Sequence, residues 1–283
     1  MERRPTPRGC GHRSCYVVVN DPSGPTARVA GAGVKAVVFA GGEGARLLPY
    51  TSVLPKPLLP VGDRPVLEII IGQLRDAGIT EVVLATGYLS SLIETYFGDG
   101  SNWGVQITYN REKSQLGTVG ALAEVPDLDD TFIMMNGDVL ATPLYRDLLE
   151  AHRRSGAAAT IATKLQEIDV DYGVLQLGES VEGLRRIEGI DEKPCYSWPV
   201  SIGIYAIEPR VTRFVRPGHR MDLPDLVEQL IEAGETVAAY EHPGYWQDIG
   251  QLHDLEEAVR AYEGNVDEFA GRASPDPDPG ERP

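Results

Sequence analysis

The chain is expected to fold as a doubly wound α/β domain built on a parallel sheet, and three observations predict this. Val34 to Ala40 is a short, almost wholly apolar run rich in valine, as suits a strand covered on both faces. Similar runs recur along the chain and alternate with segments of helical period. With 283 residues and 42% hydrophobic content, the chain can bury one large core.

Residues 1–33 carry many Arg, Pro and Gly with little periodicity and read as a mobile extension; the domain is expected over 34–265, with a disordered tail over 266–283. The first strand stops at Gly41, Gly42 and Gly44, where backbone N–H groups can turn toward an anion, and Arg46 adds a five-donor fork. A Walker loop would need Gly-Lys-Ser/Thr, and a dinucleotide loop a third glycine where Leu47 stands, so neither fits. Pro49, Pro55, Pro57 and Pro60 then stiffen the backbone around Lys56. The chain has only five lysines, and two of them, Lys56 and Lys193, precede proline, which favours an extended backbone and a positioned charge.

Pro65 to Gly78 reads as a helix that opens on proline and closes on glycine. Glu81 to Thr86 is the second strand. Ser91 and Glu94 suggest a capping box for a short helix ending near Gly98, and Val105 to Tyr109 is the third strand. Glu112 to Leu122 follows it as a loop in which Gly117 and Gly120 allow close backbone approach and Thr118 can start a helix; the bland alternative is a helix N-cap with packing glycines. Thr131 to Asn136 is a fourth apolar strand that ends in Asn136-Gly137-Asp138. An acid directly beyond a buried strand suits a hard cation, while the bland alternative is a turn aspartate.

Pro143 to Gly156 is an amphipathic helix, Ala157 to Leu165 a further strand, and a turn at Tyr172-Gly173 introduces Val174 to Leu177. Asp169-Val170-Asp171 reads as a polar loop, since no apolar strand leads into it. Ile190 to Pro194 contains Glu192 and Lys193, and Val200 to Tyr205 follows. Leu223 to Gly234 is a helix with one apolar face, Thr236 to His242 a strand, and Leu252 to Tyr262 a closing helix after Asp248. In a doubly wound sheet, ligands bind at the carboxyl ends of the strands, where the glycine loop lies.

The segments GGEGARLLPYT and PKPLLPVGDRPVLE, with the loop LGTVGAL, the Glu192-Lys193-Pro194 triplet and Asp248, resemble the signatures of the sugar-1-phosphate nucleotidylyltransferases, the pyrophosphorylases that make NDP-sugars. The resemblance implies a Rossmann-like, mostly parallel mixed sheet of the nucleotide-diphospho-sugar transferase (GT-A-like) type. It implies that Ala40, Gly41, Gly42, Gly44, Gln115, Gly117 and Thr118 bind the nucleotide, and that Arg46, Lys56, Asp138 and Lys193 are catalytic. Asn136, Tyr172, Gly173, Glu192, Lys193 and Ser201 would bind the sugar phosphate, and Asp138 and Asp248 would hold Mg²⁺. Two positions depart from the family pattern: Ser201 stands where asparagine is usual, and Gln251 where threonine closes the Asp248 motif. The first changes which sugar hydroxyls can be satisfied.

The implied partners are a nucleoside triphosphate, most readily GTP, with dTTP or UTP as alternatives, and a sugar 1-phosphate, a heptose or a cyclitol phosphate. Relatives are often dimers or tetramers, which leaves a homo-oligomer open. A non-catalytic sugar-nucleotide-binding subunit is the alternative of another class, and a glycosyltransferase a third. A net charge of −16 argues against nucleic acid as a partner. No apolar run approaches the ~20 residues of a membrane span, so a cytoplasmic protein is expected. Three cysteines make no disulfide framework, and Cys10, His12 and Cys15 lack a fourth metal ligand.

Overall fold

The computed structural model describes residues 33–111 and 116–270. In chain order the strands are β1 (Lys35–Ala40), β2 (Pro60–Val61), β3 (Arg64–Pro65), β4 (Glu81–Thr86), β5 (Gln106–Arg111), β6 (Phe132–Asn136), β7 (Val139–Ala141), β8 (Ala159–Asp169), β9 (Val174–Val181), β10 (Leu184–Asp191), β11 (Cys195–Ile207), β12 (Val237–Glu241) and β13 (Trp246–Asp248). The helices are α1 (Val66–Asp76), α2 (Ser90–Phe97), α3 (Gly117–Gly120), α4 (Tyr145–Ser155), α5 (Leu223–Glu232), α6 (Leu252–Gly264) and α7 (Val266–Phe269), with short 3-10 turns between them.

Seven strands form one sheet in the order β12-β8-β11-β6-β1-β4-β5. β1 runs parallel to β4 and β6, β4 to β5, and β8 to β12. β11 alone is antiparallel, wedged between β6 and β8. The sheet is therefore mixed and mostly parallel, as the motifs imply. Its central strands are continuously apolar because alternate side chains serve two different cores. Val38, Ile133, Met135 and Ile204 pack with α1, α2, α4 and α6 on one face. Val37, Phe132, Met134 and Ile207 pack with α5 and Val119 on the other.

β8 and β11 run on past the sheet as a two-stranded extension, and β9 with β10 forms a separate antiparallel ribbon. Glu182 and Gly183, at φ +51° and +83°, close the ribbon as the mirror-image turn that matches strand twist. β13 pairs with β7 to make a small second sheet beside the main one. Among the described residues no helix is long and apolar enough to cross a membrane.

Four expectations need correction. Helix α2 starts at Ser90, after Leu89 in a left-handed conformation, so Ser91 lies inside the helix and caps nothing. Glu94 instead accepts a hydrogen bond from Arg111 Nε at 2.7 Å. Neither pre-proline lysine is extended: Lys56 opens a one-turn 3-10 helix, Lys56–Leu58, and Lys193 has φ +46°. At Lys56 the turn that buries Pro57 and Leu58 overrides the local preference; among the described residues no contact accounts for Lys193. The ordered chain also runs past 265, since α7 places Phe269 in the core against Tyr245 and Tyr262. Cys10, His12, Cys15 and Gln115 lie outside the described residues.

Candidate active site

The carboxyl ends of β1, β4 and β6 meet at one edge of the sheet. Gly137, just beyond β6, donates its N–H to Phe39 O at 2.8 Å, and a Cβ there would fall 2.9 Å from the same backbone oxygen. Only glycine lets the two strand ends lie this close, and the contact aims Asp138 across the mouth of the glycine loop. The loop is pinned from beneath. Gly44 sits at φ +62°, where an added Cβ would meet Thr51 Cγ2 at 2.8 Å and Lys56 Cβ at 3.3 Å. The Thr51 hydroxyl donates to Gly44 O at 2.9 Å, and Leu47 N donates to the same oxygen at 2.8 Å. Around Gly42 the space is open. Tyr88 N approaches Gly41 O at 3.3 Å, so the loop also leans on the turn after β4.

Lys56 is the centre of charge. Its side chain is only 11% exposed, and its ammonium donates to Asp138 Oδ2 and lies 3.8 Å from Asp248 Oδ1. The two acids are 110 positions apart in sequence. The β7–β13 pairing brings them together, with Asp248 opposite Val139 and Ile249 N donating to Asp138 O at 3.1 Å. Burial, followed by the negative charge of Asp138, raises the Asp248 pKa, while Lys56 and Arg46 pull it down. The Arg46 guanidinium reaches over to Gly250, 3.7 Å from where a Cβ would stand, and so faces the Asp248 side of the site.

This donor set fits a divalent cation. Asp138 Oδ1 is buried without a hydrogen-bond partner, and the neighbouring Asp248 carboxylate, 52% exposed, is repelled by it. Magnesium is commonly held by one or two carboxylates, with substrate phosphates completing its shell.

Beyond the acids, β11 bulges between Ser201 and Tyr205, with Gly203 at φ +77°. The Asn136 amide packs on Gly203, 2.7 Å from an added Cβ, and the Trp246 indole donates to Ile202 O at 3.1 Å. Asn136, Ser201 and Trp246 thus gather beside Asp138 and Asp248. The Ser201 hydroxyl shares a 3.0 Å hydrogen bond with the Tyr205 phenol. At the base of the β9–β10 ribbon the Glu192 carboxylate lies 3.0 Å from where a Gly173 Cβ would be, which unites Tyr172-Gly173 with Glu192. Lys193 is exposed and makes no ion pair among the described residues; the contacts place it in neither group.

The loop from Leu116 to Gly120 is clasped to the segment before α5. Val119 N and Gly120 N donate to Met221 O at 3.0 and 3.2 Å, and Thr118 N to Asp222 Oδ1 at 3.1 Å. The Thr118 hydroxyl accepts from Leu223 N at 3.1 Å. Packing therefore accounts for both loop glycines.

Sequence reasoning missed Thr51, Tyr205 and Asp254. Asp254 forms a reciprocal cap with Gln251 at the start of α6 and adds negative charge near Asp248. Gln251 thus fills an N-cap position that threonine commonly takes, and because Gln-x-x-Asp is not the usual Ser/Thr-x-x-Glu/Gln pattern the cap left little signal in the sequence. A cavity of about 480 Å³ lies elsewhere, between α1, α4 and α7; Asp76, Asp147, Asp267 and Glu268 in its lining make it unsuited to a polyanion.

A family model described as nucleotidyl transferase matches residues 35–265. A UTP-glucose-1-phosphate uridylyltransferase from Synechocystis sp. is 33% identical over 243 residues, covering 80% of this chain and 63% of the relative. A mannose-1-phosphate guanylyltransferase from Mycobacterium tuberculosis is 32% identical over 226 residues, covering 78% of this chain and 62% of the relative. The chain thus spans less than two thirds of the length of these curated relatives. Among solved structures, a proposed glucose-1-phosphate thymidylyltransferase from Bacillus anthracis, in complex with sucrose, matches with a TM-score of 0.65 at 26% identity, over 81% of this chain and 94% of that one.

Proposed function

The chain belongs to the nucleotidyl transferase family of sugar-1-phosphate nucleotidylyltransferases, and from that membership we propose that it joins a nucleoside triphosphate to a sugar 1-phosphate, giving an NDP-sugar and pyrophosphate. The observation that carries the reading is the part-buried ammonium of Lys56 set between Asp138 and Asp248 under the glycine loop.

An oxygen of the sugar phosphate attacks the α-phosphorus in line, the bond to the bridging oxygen breaks, and pyrophosphate leaves. A phosphate monoester has a second pKa of about 6, so the nucleophile is already largely dianionic and needs no general base. Of the four described histidines, His152 and His242 are buried in structural hydrogen bonds, His219 bonds Pro217 O at 3.1 Å, and His253 pairs with Asp254. What the reaction requires is alignment and neutralisation of two polyanions. Gly41 to Arg46 hold the β- and γ-phosphates, with Ala40, Gln115, Gly117 and Thr118 on the nucleoside side. Lys56 keeps the two acids at one place and shares charge near the α-phosphate. Lys193 grips the incoming phosphate while Asn136, Tyr172, Gly173, Glu192 and Ser201 contact the sugar. Asp138 and Asp248 are the residues that would hold Mg²⁺, which when bound supplies positive charge against the α-phosphate.

GTP is the favoured nucleotide, supported by the LGTVGAL loop and the guanylyltransferase relative; the uridylyltransferase relative supports UTP as the second reading. The test is pyrophosphate release from five nucleoside triphosphates, each paired with hexose, heptose and cyclitol phosphates. Release with GTP and one sugar phosphate is expected. No release from any pair would remove the reading and leave a sugar-nucleotide-binding subunit or a glycosyltransferase, which release none.

A further inference from the structure

The loop after β5 is fastened to the start of α5 by five hydrogen bonds. Met221 takes part in three of them: its N–H donates to Leu116 O at 2.9 Å, and its carbonyl accepts from Val119 N and Gly120 N. The other two are reciprocal. Asp222 Oδ1 accepts from Thr118 N, and the Thr118 hydroxyl accepts from Leu223 N, the first N–H of α5. Each segment thus satisfies an open N–H of the other, across 104 and 105 positions of sequence.

Capping α5 does not by itself require this arrangement. The capping box is complete within the start of the helix: Asp222 accepts from the Asp225 N–H, and Asp222 N donates to Asp225 Oδ2 at 3.1 Å. Asp222 Oδ1 nevertheless meets Thr118, while Arg220 pairs with Oδ2 at 3.2 Å. The Thr118 N–H is the largest influence holding the Asp222 carboxyl below the usual aspartate range, so the acceptor is charged at neutral pH. Gly117 makes the approach possible: it sits at φ +78°, and a Cβ there would stand 2.5 Å from Asp222 Oδ1. Leu116 and Val119 are buried, whereas Thr118 is exposed, so core packing holds the flanks of this turn and the clasp holds its exposed residue.

We propose that Asp222 is a positioning residue for the nucleotide, one that fixes the place of Gly117 and Thr118 without touching the ligand. Its weight for the nucleotide rests on the proposed reaction, in which those two residues stand on the nucleoside side. With its N–H given to Asp222 and its hydroxyl oxygen accepting from Leu223, Thr118 keeps one hydroxyl proton to donate, and the two bonds set its direction. A donor on a loop serves recognition only where a supporting shell holds it, and that shell reaches back through α5 to Leu226 and Leu230 in the core. Loss of the Asp222 carboxylate lets the turn swing, and the donor with it.

The test compares Asp222→Ser, Asp222→Asn and Asp225→Ala in the full chain, with thermal melting to check that each folds. Serine still caps α5 but falls short of Thr118, asparagine keeps an acceptor in place, and Asp225→Ala breaks the α5 capping box without touching the loop. Titration calorimetry with Mg²⁺ and each of five nucleoside triphosphates, without sugar phosphate, reads binding, and amide hydrogen exchange reads the Thr118 N–H. Asp222→Ser should weaken the best-bound nucleotide about tenfold and speed Thr118 exchange about tenfold, whereas Asp222→Asn and Asp225→Ala should stay within about threefold of wild type in both. In pyrophosphate release the loss in Asp222→Ser should fall on the KM for the nucleotide, with the KM for the sugar phosphate within about twofold. Nucleotide binding unchanged in Asp222→Ser, a loss as large in Asp225→Ala, or a wild type that binds none of the five overturns the proposal. Binding without pyrophosphate release tells against the reaction alone, since affinity is read without turnover.

Discussion

Asp248 is the acid of the site whose ionisation its surroundings oppose. Its folded pKa is raised by burial and by Asp138. An acid with a raised folded pKa binds its proton more tightly in the native state, so as pH climbs from the ordinary aspartate range through the raised value, stability falls and then stays at the lower level. Asp248→Asn should flatten that fall without lowering the neutral-pH melting temperature in chelator, while reducing magnesium-dependent turnover at least ~100-fold. Asp138→Asn should cost turnover similarly; activity within tenfold of wild type in both variants would remove the metal assignment. Lys56→Met leaves two facing carboxylates without their shared counter-charge, and Lys56→Arg replaces a compact ammonium with a planar fork that cannot sit between them. Both should lose most turnover, and in Lys56→Met the melting temperature should recover on adding Mg²⁺. Titrating Mg²⁺ against melting temperature checks this.

At the scale of elements, the site depends on two joints. The first is the close approach of the turn after β6 to β1. Gly137→Ala drives a methyl toward a backbone oxygen 2.9 Å away, and backbone cannot swing aside as a side chain can. The substitution should destabilise by about 2 kcal/mol and displace Asp138, lowering turnover more than tenfold; urea unfolding and pyrophosphate release measure the two effects separately. The second joint is the pair of buried histidines that tie α4 and β13 to the sheet. His152 bonds Thr160 and Glu208 at 2.7 and 3.0 Å, and His242 bonds Thr142 and Tyr245 O at 3.1 Å each. Burial lowers both pKa values. A base with a lowered folded pKa binds fewer protons when folded, so its stabilising contribution is present above about 6.5 and is lost as pH falls through the window below it. The melting temperature should therefore drop from pH 7 to pH 5.5, and less steeply in His242→Gln. The acid beyond the fourth strand was legible, because an ionised carboxylate there is poorly explained by packing, whereas nothing marked Gly137, one glycine among 31, as a close approach. The histidine joints were not legible either, since an isolated histidine in sequence does not reveal which distant threonine it will meet.

For the whole molecule, the alternation of apolar runs with helical segments was enough to read the parallel part of the sheet. It could not reveal that β11 runs antiparallel between β6 and β8, because a strand buried on both faces has the same composition in either direction. Nor could it bring Asp138 beside Asp248, which depends on the β7–β13 pairing of two three-residue strands too short to leave a pattern. Net charge was legible throughout and has a consequence at this scale. With −16 overall, the far field opposes an incoming triphosphate, while Arg46 and Lys56 attract it only at close range. Salt weakens the distant repulsion first, because the Debye length is about 10 Å at 0.1 M, whereas an 11%-exposed lysine is screened far less. Raising NaCl from ~20 to ~150 mM should therefore leave the KM for the nucleotide unchanged or lower it, at fixed free Mg²⁺. A several-fold rise would mean that exposed cations draw the nucleotide in from solution, and capture would then be governed by Arg46 and its neighbours rather than by the buried charge at Lys56.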